Sequence, residues 1–203
     1  MKRISSRHVY TWLILLLLMG LVSGCRTQTK LNGLVLEPAN PAPDFTLTDQ
    51  QGRPFQLSAQ RGKIVLLYFG FTQCPDLCPT TLAEMANLRR KLGAEAQQVQ
   101  VALITVDPER DTGEVMAAYM RVFDPTFLGL HGTREQIDPV IRAYGVTAIK
   151  RELPNSAMGY TMDHSSFVYV IDQEGRWREQ FAHGTDLDLM VNDVRTLIRT
   201  GRS

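Results

Sequence analysis

The run Lys63-Ile-Val-Leu-Leu-Tyr-Phe69 constrains the fold more than any other part of the sequence. Six consecutive apolar side chains on an extended strand point alternately to both sides, so both faces need cover. Such a strand belongs at the centre of a sheet with helices packed against it. The flanking pattern supplies them. Helices are expected over 79–92 (Leu82, Met85, Ala86, Leu88 and Leu92 near one face) and over 112–123 (Val115, Met116, Tyr119, Phe123). Thr133 can cap a third, with Ile137, Val140, Ile141 and Tyr144 at i, i+3, i+4 and i+7, although Pro139 inside it argues for a later start. Leu187 to Arg199 closes the chain as a fourth, with Leu187, Met190, Val194, Leu197 and Ile198 inward. Strands are expected at 44–49, turning through Gln50-Gln-Gly52 into Phe55, and at 98–106. A β-hairpin is expected from 166–172 and 177–181. This order makes an α/β fold, a thioredoxin-like sandwich with a central mixed sheet and an N-terminal β-hairpin.

The chain has 203 residues, room for a targeting segment and one domain. Its hydrophobic fraction of 44% and charged fraction of 21% exclude disorder, and three cysteines exclude a disulfide-dense scaffold. Residues 1–24 carry Lys2, Arg3 and Arg7 and no acid, which leaves 19 basic against 21 acidic side chains in the remainder. That body offers no electrostatic footprint for nucleic acid.

The basic start leads into Trp12 to Val22, eleven apolar or small residues. A stable membrane-spanning helix takes ~20. Residues 1–24 therefore read as a signal peptide. Leu21-Val-Ser-Gly-Cys25 resembles the lipobox of bacterial lipoproteins, which implies cleavage before Cys25 and a diacylglycerol on its sulfur. The competing reading is a signal anchor with an incidental cysteine. Residues 25–43 follow as an extended tether, with Pro38, Pro41 and Pro43 against helix. Fully extended, it would reach roughly 55 Å at ~3.1 Å per residue. Leu34-Val-Leu36 is apolar, so packing of part of this stretch as an edge segment stays open. The domain proper is expected over 44–203.

With Cys25 taken as the lipid site, one pair remains in a compartment where cysteines tend to be oxidised. Phe71-Thr-Gln-Cys74-Pro-Asp-Leu-Cys78-Pro79 lies just after the central strand and just before a helix. In open α/β sheets that edge binds ligands. Pro79 suits an early helical position, which puts Cys78 at or beside the N-cap, where free N–H groups favour thiolate. Three intervening residues bring the sulfurs together across about one turn, to close as a disulfide or to converge on one metal ion. Gly159-Tyr-Thr-Met-Asp163-His164-Ser-Ser precedes the strand from Phe167, in the segment where thioredoxin-like oxidoreductases usually place a cis-proline. No proline occurs between Asn155 and Ser203, and His164 occupies that segment. Two sulfurs and an imidazole favour copper or zinc over calcium or magnesium. Structural zinc takes four protein ligands, so three at an exposed edge suit copper that is accepted and handed on. Met158 and Met162 are further soft donors for which packing is the simpler role; His131 and His183 have no such neighbours in sequence. In Thr105-Val-Asp107-Pro-Glu-Arg110-Asp111-Thr112, a helix cap accounts for Asp111 and Thr112 but not for Asp107. Asp107 can orient a partner or steady the cysteine loop.

Cys74-Pro-Asp-Leu-Cys78-Pro79, Val106-Asp-Pro-Glu-Arg-Asp-Thr112 and Asp163-His164 before a strand, in that order, closely resemble the Sco/SenC family. The resemblance runs from about Asn40 to Arg199. It implies a thioredoxin fold binding one Cu(I) or Cu(II) ion per chain through Cys74, Cys78 and His164. Asp107 matches the family aspartate implicated in productive copper transfer. The implied task is assembly of the dinuclear copper centre of cytochrome c oxidase. The implied partners are the copper-centre subunit of that oxidase and further periplasmic copper chaperones or thiol reductases. The lipid anchor departs from family members held by a transmembrane helix, yet keeps the same topology. The domain would face the periplasm or cell exterior, and inner versus outer membrane stays open.

Two classes of function remain. In the first, a metallochaperone passes copper on by ligand exchange. In the second, an enzyme, Cys74 attacks and Cys78 resolves in thiol–disulfide exchange that reduces the oxidase copper-site cysteines. Loss of the proline that helps dock a peptide favours the first. A peroxiredoxin-like peroxidase, suggested by Pro43-Asp-Phe-Thr-Leu47, lacks the expected Thr-x-x-Cys arrangement.

Overall fold

The structure, a computed structural model, describes residues 30–201; the signal peptide expected over 1–24 and the lipidation site expected at Cys25 lie outside them. From Leu31 on, the chain is one compact unit. Its strands are β1 (Leu34–Pro41), β2 (Thr46–Asp49), β3 (Pro54–Gln56), β4 (Ile64–Gly70), β5 (Val99–Thr105), β6 (Leu128–His131), β7 (Ala148–Leu153), β8 (Gly159–His164), β9 (Phe167–Ile171) and β10 (Arg176–Ala182). Its helices are α1 (Leu77–Leu92), α2 (Gly113–Arg121), α3 (Arg134–Ala143) and α4 (Leu187–Thr200).

Eight strands form one sheet in the order β1-β10-β9-β4-β5-β6-β2-β3. The apolar run becomes β4, in which every residue is buried. It pairs parallel with β5, from Ile64↔Val99 to Gly70↔Thr105, and antiparallel with β9, from Val65↔Ile171 to Tyr68↔Val168. Parallel and antiparallel pairs in one sheet make it mixed, as expected. β2 and β3 are the expected N-terminal hairpin, bonded through β2 to β6. α1 and α4 pack against each other, α4 also meets β4, and α2 lies on β6. Phe69, Tyr144, Tyr169 and Trp177 close the core as a chain of ring contacts 5.2–5.6 Å apart. Among the described residues no helix is long and apolar enough to cross a membrane.

Three sequence expectations change. Residues 34–41 are not free tether: as β1 they pair with β10, Leu34 with Gln180 and Pro41 with Arg176, with an irregularity between Val35 and Asn40. The edge-segment alternative describes them, and the ordered domain begins before residue 44. Second, α3 starts at Arg134 despite Pro139. Gln136 Oε1 accepts from the Thr133 N–H at 2.9 Å to close the N-terminus. The i−4 carbonyl that a proline leaves unbonded belongs here to Glu135, and both residues are exposed, so water reaches it. Third, α1 starts at Leu77, two residues early, with Asp76 as N-cap, so Cys78 and Pro79 both lie in the first turn. Prolines tolerate that turn because its N–H groups have no intrahelical acceptor.

β7 and β8 were not expected as strands. They form a separate two-stranded sheet, Ala148↔His164 through Leu153↔Gly159. The histidine therefore stands on a hairpin beside the main sheet, while the cysteines stand on its central edge.

Candidate metal centre

β4 ends at Gly70, and four residues later Cys74 begins the approach to α1. A Cβ on Gly70 would lie 2.9 Å from Cys78 Sγ and 3.0 Å from Tyr68 Cε1, so only glycine lets the sulfur settle against the strand end. Cys78 is buried and Cys74 is half-buried; both are free thiols. The Cys78 backbone N–H donates to Cys74 Sγ at 3.4 Å, and the Tyr68 hydroxyl donates to Cys78 Sγ at 3.7 Å. His164 completes the group, with Nε2 3.4 Å from Cys78 Sγ. The three ligand atoms all lie within 4.8 Å of one another.

The imidazole is held from three sides. Its Nδ1 lies 3.0 Å from the Ser165 carbonyl oxygen, which only an N–H there can satisfy. That leaves Nε2 facing the sulfurs, the second-sphere orientation that presents an imidazole to a metal. Phe71 and Tyr68 meet the ring edge-on, at centroid distances of 5.8 and 6.2 Å. Met162 is buried in the core, and Met158 offers its carbonyl to Arg110. His131 sits in β6 and His183 is exposed.

The two thiols are electrostatically unlike. Hydrogen bonding from Cys78 is the largest influence on Cys74; with His164 and the backbone N–H groups of Asp76 and Cys78 it outweighs half-burial and pulls the Cys74 pKa down to about 4. The same hydrogen bond, burial and the Cys74 charge drive Cys78 far above the ordinary thiol range. At neutral pH the pair is one thiolate beside one thiol. Iodoacetamide is expected to alkylate Cys74 and spare Cys78, at a rate nearly flat from pH 6 to 8. A rate rising about tenfold per pH unit, read by mass spectrometry, would belong instead to an ordinary thiol.

Asp107 ends buried rather than at the rim. It pairs with Arg110 Nε and accepts from the Tyr160 hydroxyl at 2.8 Å. Of the two roles expected for it, the contacts are those of steadying the loop: Arg110 carries the connection to Gln73 Oε1 at 3.1 Å, next to Cys74. Thr112 caps α2, as expected. Asp111 does something the cap reading missed. Its carboxylate accepts from the Thr72 N–H and hydroxyl and from the Thr105 hydroxyl, tying the start of the cysteine loop to the end of β5. The burial of Asp107 and Asp111 was not visible in Asp107-Pro-Glu-Arg-Asp111, where one read as an edge residue and the other as a cap. Tyr68, Gly70 and Tyr160 carried no sequence signal.

A thioredoxin-like sandwich whose cysteine pair is joined at the sheet edge by a histidine defines a class of proteins that hold soft metals or exchange thiols. The SCO1/SenC family model matches residues 35–199. The chain belongs to the SCO1/SenC family. It is 38% identical over 155 residues to the SCO2-like protein RP587 of Rickettsia prowazekii (strain Madrid E), covering 76% of this chain and 74% of that one. Among solved structures it resembles Bradyrhizobium japonicum ScoI with copper bound, at 37% identity and a TM-score of 0.71, covering 78% of this chain and 99% of that one. Apo Sco1 from Thermus thermophilus gives 37% identity and a TM-score of 0.74, covering 84% of this chain and 99% of that one.

Proposed function

We propose that this protein binds one copper ion through Cys74, Cys78 and His164 and delivers it to the dinuclear copper centre of cytochrome c oxidase during assembly. The observation that carries the proposal is the convergence of two free thiols and one oriented imidazole within 4.8 Å. Two sulfurs and a nitrogen suit Cu(I) and Cu(II). Three donors leave a position for an incoming ligand, which an ion in transit requires and a closed four-ligand zinc site denies. The copper-bound relative supports the choice of metal. Asp107 supports transfer by holding Arg110 and Tyr160.

Residues 1–24 act in this proposal as a signal peptide and Cys25 as the lipid anchor, with the domain facing the periplasm or cell exterior. The segment free to act as tether lies ahead of Leu31, because Asn32, Gly33 and β1 are bound to the domain. The oxidase subunit that carries the copper centre is the proposed client, and a thiol reductase that keeps Cys74 and Cys78 reduced is a further partner. The low Cys74 pKa favours, as a second reading, thiol–disulfide exchange at the client's copper-site cysteines. In that chemistry the imidazole, 3.4 Å from Cys78 Sγ, would serve only to help hold Cys74 as thiolate.

Titration of the reduced protein with copper tests the proposal, read by metal analysis and by thiolate-to-Cu(II) charge-transfer absorption. One retained equivalent is expected. No retained copper, with rapid reduction of a disulfide substrate, overturns delivery in favour of exchange.

A further inference from the structure

The hairpin that carries His164 has no backbone pairing with the eight-stranded sheet. Apart from its covalent link through Ser165 and Ser166 to β9, its position depends on side chains, and one turn supplies most of the polar ones. Arg110 Nη1 donates to the Met158 carbonyl at 3.3 Å and the Tyr160 carbonyl at 3.2 Å, at the start of β8, as well as to Gln73 beside Cys74. Its Nε bonds Asp107, whose other oxygen holds the Tyr160 hydroxyl. The guanidinium also lies 3.6 Å from the centroid of the Tyr160 ring. One residue earlier, Glu109 pairs with Lys150 of β7 at 2.9 Å, and Lys150 Nζ lies 3.9 Å from the same ring.

We infer that Arg110 is a positioning residue that docks the β7–β8 hairpin on the cysteine loop and so sets whether the imidazole of His164 reaches the two sulfurs. A planar fork with several donors can bridge a carboxylate, a side-chain amide and two carbonyls at once; an ammonium cannot. Fixing Tyr160 fixes a short strand four residues from His164. The clamp is not saturated: Arg110 Nη2 is buried with no hydrogen-bond partner among the described residues. A docked hairpin gives a three-ligand site, and a released one leaves the two cysteines alone. The functional consequence rests on the copper reading; the docking itself does not.

Arg110→Lys keeps the charge beside Asp107 and removes the fork, and Tyr160→Phe removes only the bond to Asp107. Both are to be checked for wild-type melting, and Tyr160→Phe decides if Arg110→Lys does not fold. Without metal, hydrogen exchange of the β7–β8 amides is expected to speed up at least tenfold in Arg110→Lys while β4 and β5 amides stay unchanged. With Cu(II), the imidazole nitrogen coupling in electron paramagnetic resonance is expected to weaken and affinity to fall roughly 10–100-fold, with thiolate charge transfer retained. Hairpin exchange within twofold of wild type overturns the inference, as does a loosened hairpin with unchanged nitrogen coupling. If the wild-type protein retains no copper, the copper reading falls and the metal-free exchange alone decides on the clamp.

Discussion

Cys78→Ser is expected to abolish copper retention, taking the bound metal from one equivalent to none and removing the charge-transfer band. Cys78 is fully buried between Gly70, Tyr68 and His164, so no water-exposed donor can replace it. Serine offers a hard oxygen that stays protonated, whereas copper here needs a soft thiolate. Because burial and Cys74 hold the Cys78 proton in the free protein, copper has to displace it, and apparent affinity is expected to rise with pH across the neutral range. His164→Ala separates the two chemistries. It leaves both sulfurs, so thiol–disulfide exchange is expected to survive while Cu(II) retention and delivery fail. Equal loss of exchange and delivery would show that the imidazole serves the thiols rather than the metal.

The second large effect concerns stability and pH. Glu179 on β10 is buried, and burial followed by the Asp193 charge on α4 pushes its pKa up to about 8. Its Oε2 accepts from the Gly33 N–H at 3.0 Å, while Asp193 accepts from the Asn32 backbone and side chain at 2.7 and 2.6 Å. Arg178, next in the chain, opposes the shift only weakly. With a folded pKa raised above the unfolded value of 4.5, the contribution of Glu179 is complete below about pH 4.5 and is lost as pH rises through about 8. The swing is on the order of 4 kcal/mol, or roughly 8–16 °C in Tm. Cys74, lowered from 9.0 to about 4, has the opposite slope over the same range. The effect is therefore read as the stability of wild type minus that of Glu179→Gln, by urea unfolding at pH 5.5 and 8.5. This difference is expected to fall as pH rises. The lowered carboxyls Asp44, Asp49 and Asp124 act only as pH falls towards 3.8, outside this window. A difference between wild type and Glu179→Gln that is equal at both pH values would refute the assignment.

What the sequence disclosed follows from where apolar side chains are needed. β4 and the four helices were legible because each buries a continuous run or a 3.6-residue stripe. The β7–β8 hairpin was not, because Ala148–Leu153 has no fully buried residue and so no alternation to read. β1 was obscured for the same reason, and its prolines read as a tether. The three ligand candidates were legible from residue type and spacing. Their supports were not: Arg110 and Asp111 look like turn and cap residues until the fold brings residues 72, 73, 158 and 160 beside them. Glu179 reads as an ordinary exposed acid in a hairpin, and only the closure of α4 over β10 turns it into half of a buried pair.

Both borders of the large sheet carry proline. β1 contains Pro38 and Pro41, and β3 is three residues long and opens on Pro54. A proline has no N–H to offer a ninth strand, and a short border gives such a strand little to grip. The sheet is thus closed to growth at either end. Copies crowded together should add no strands to one another, and the protein should resist fibrillar aggregation even though Leu34 and Val35 are exposed.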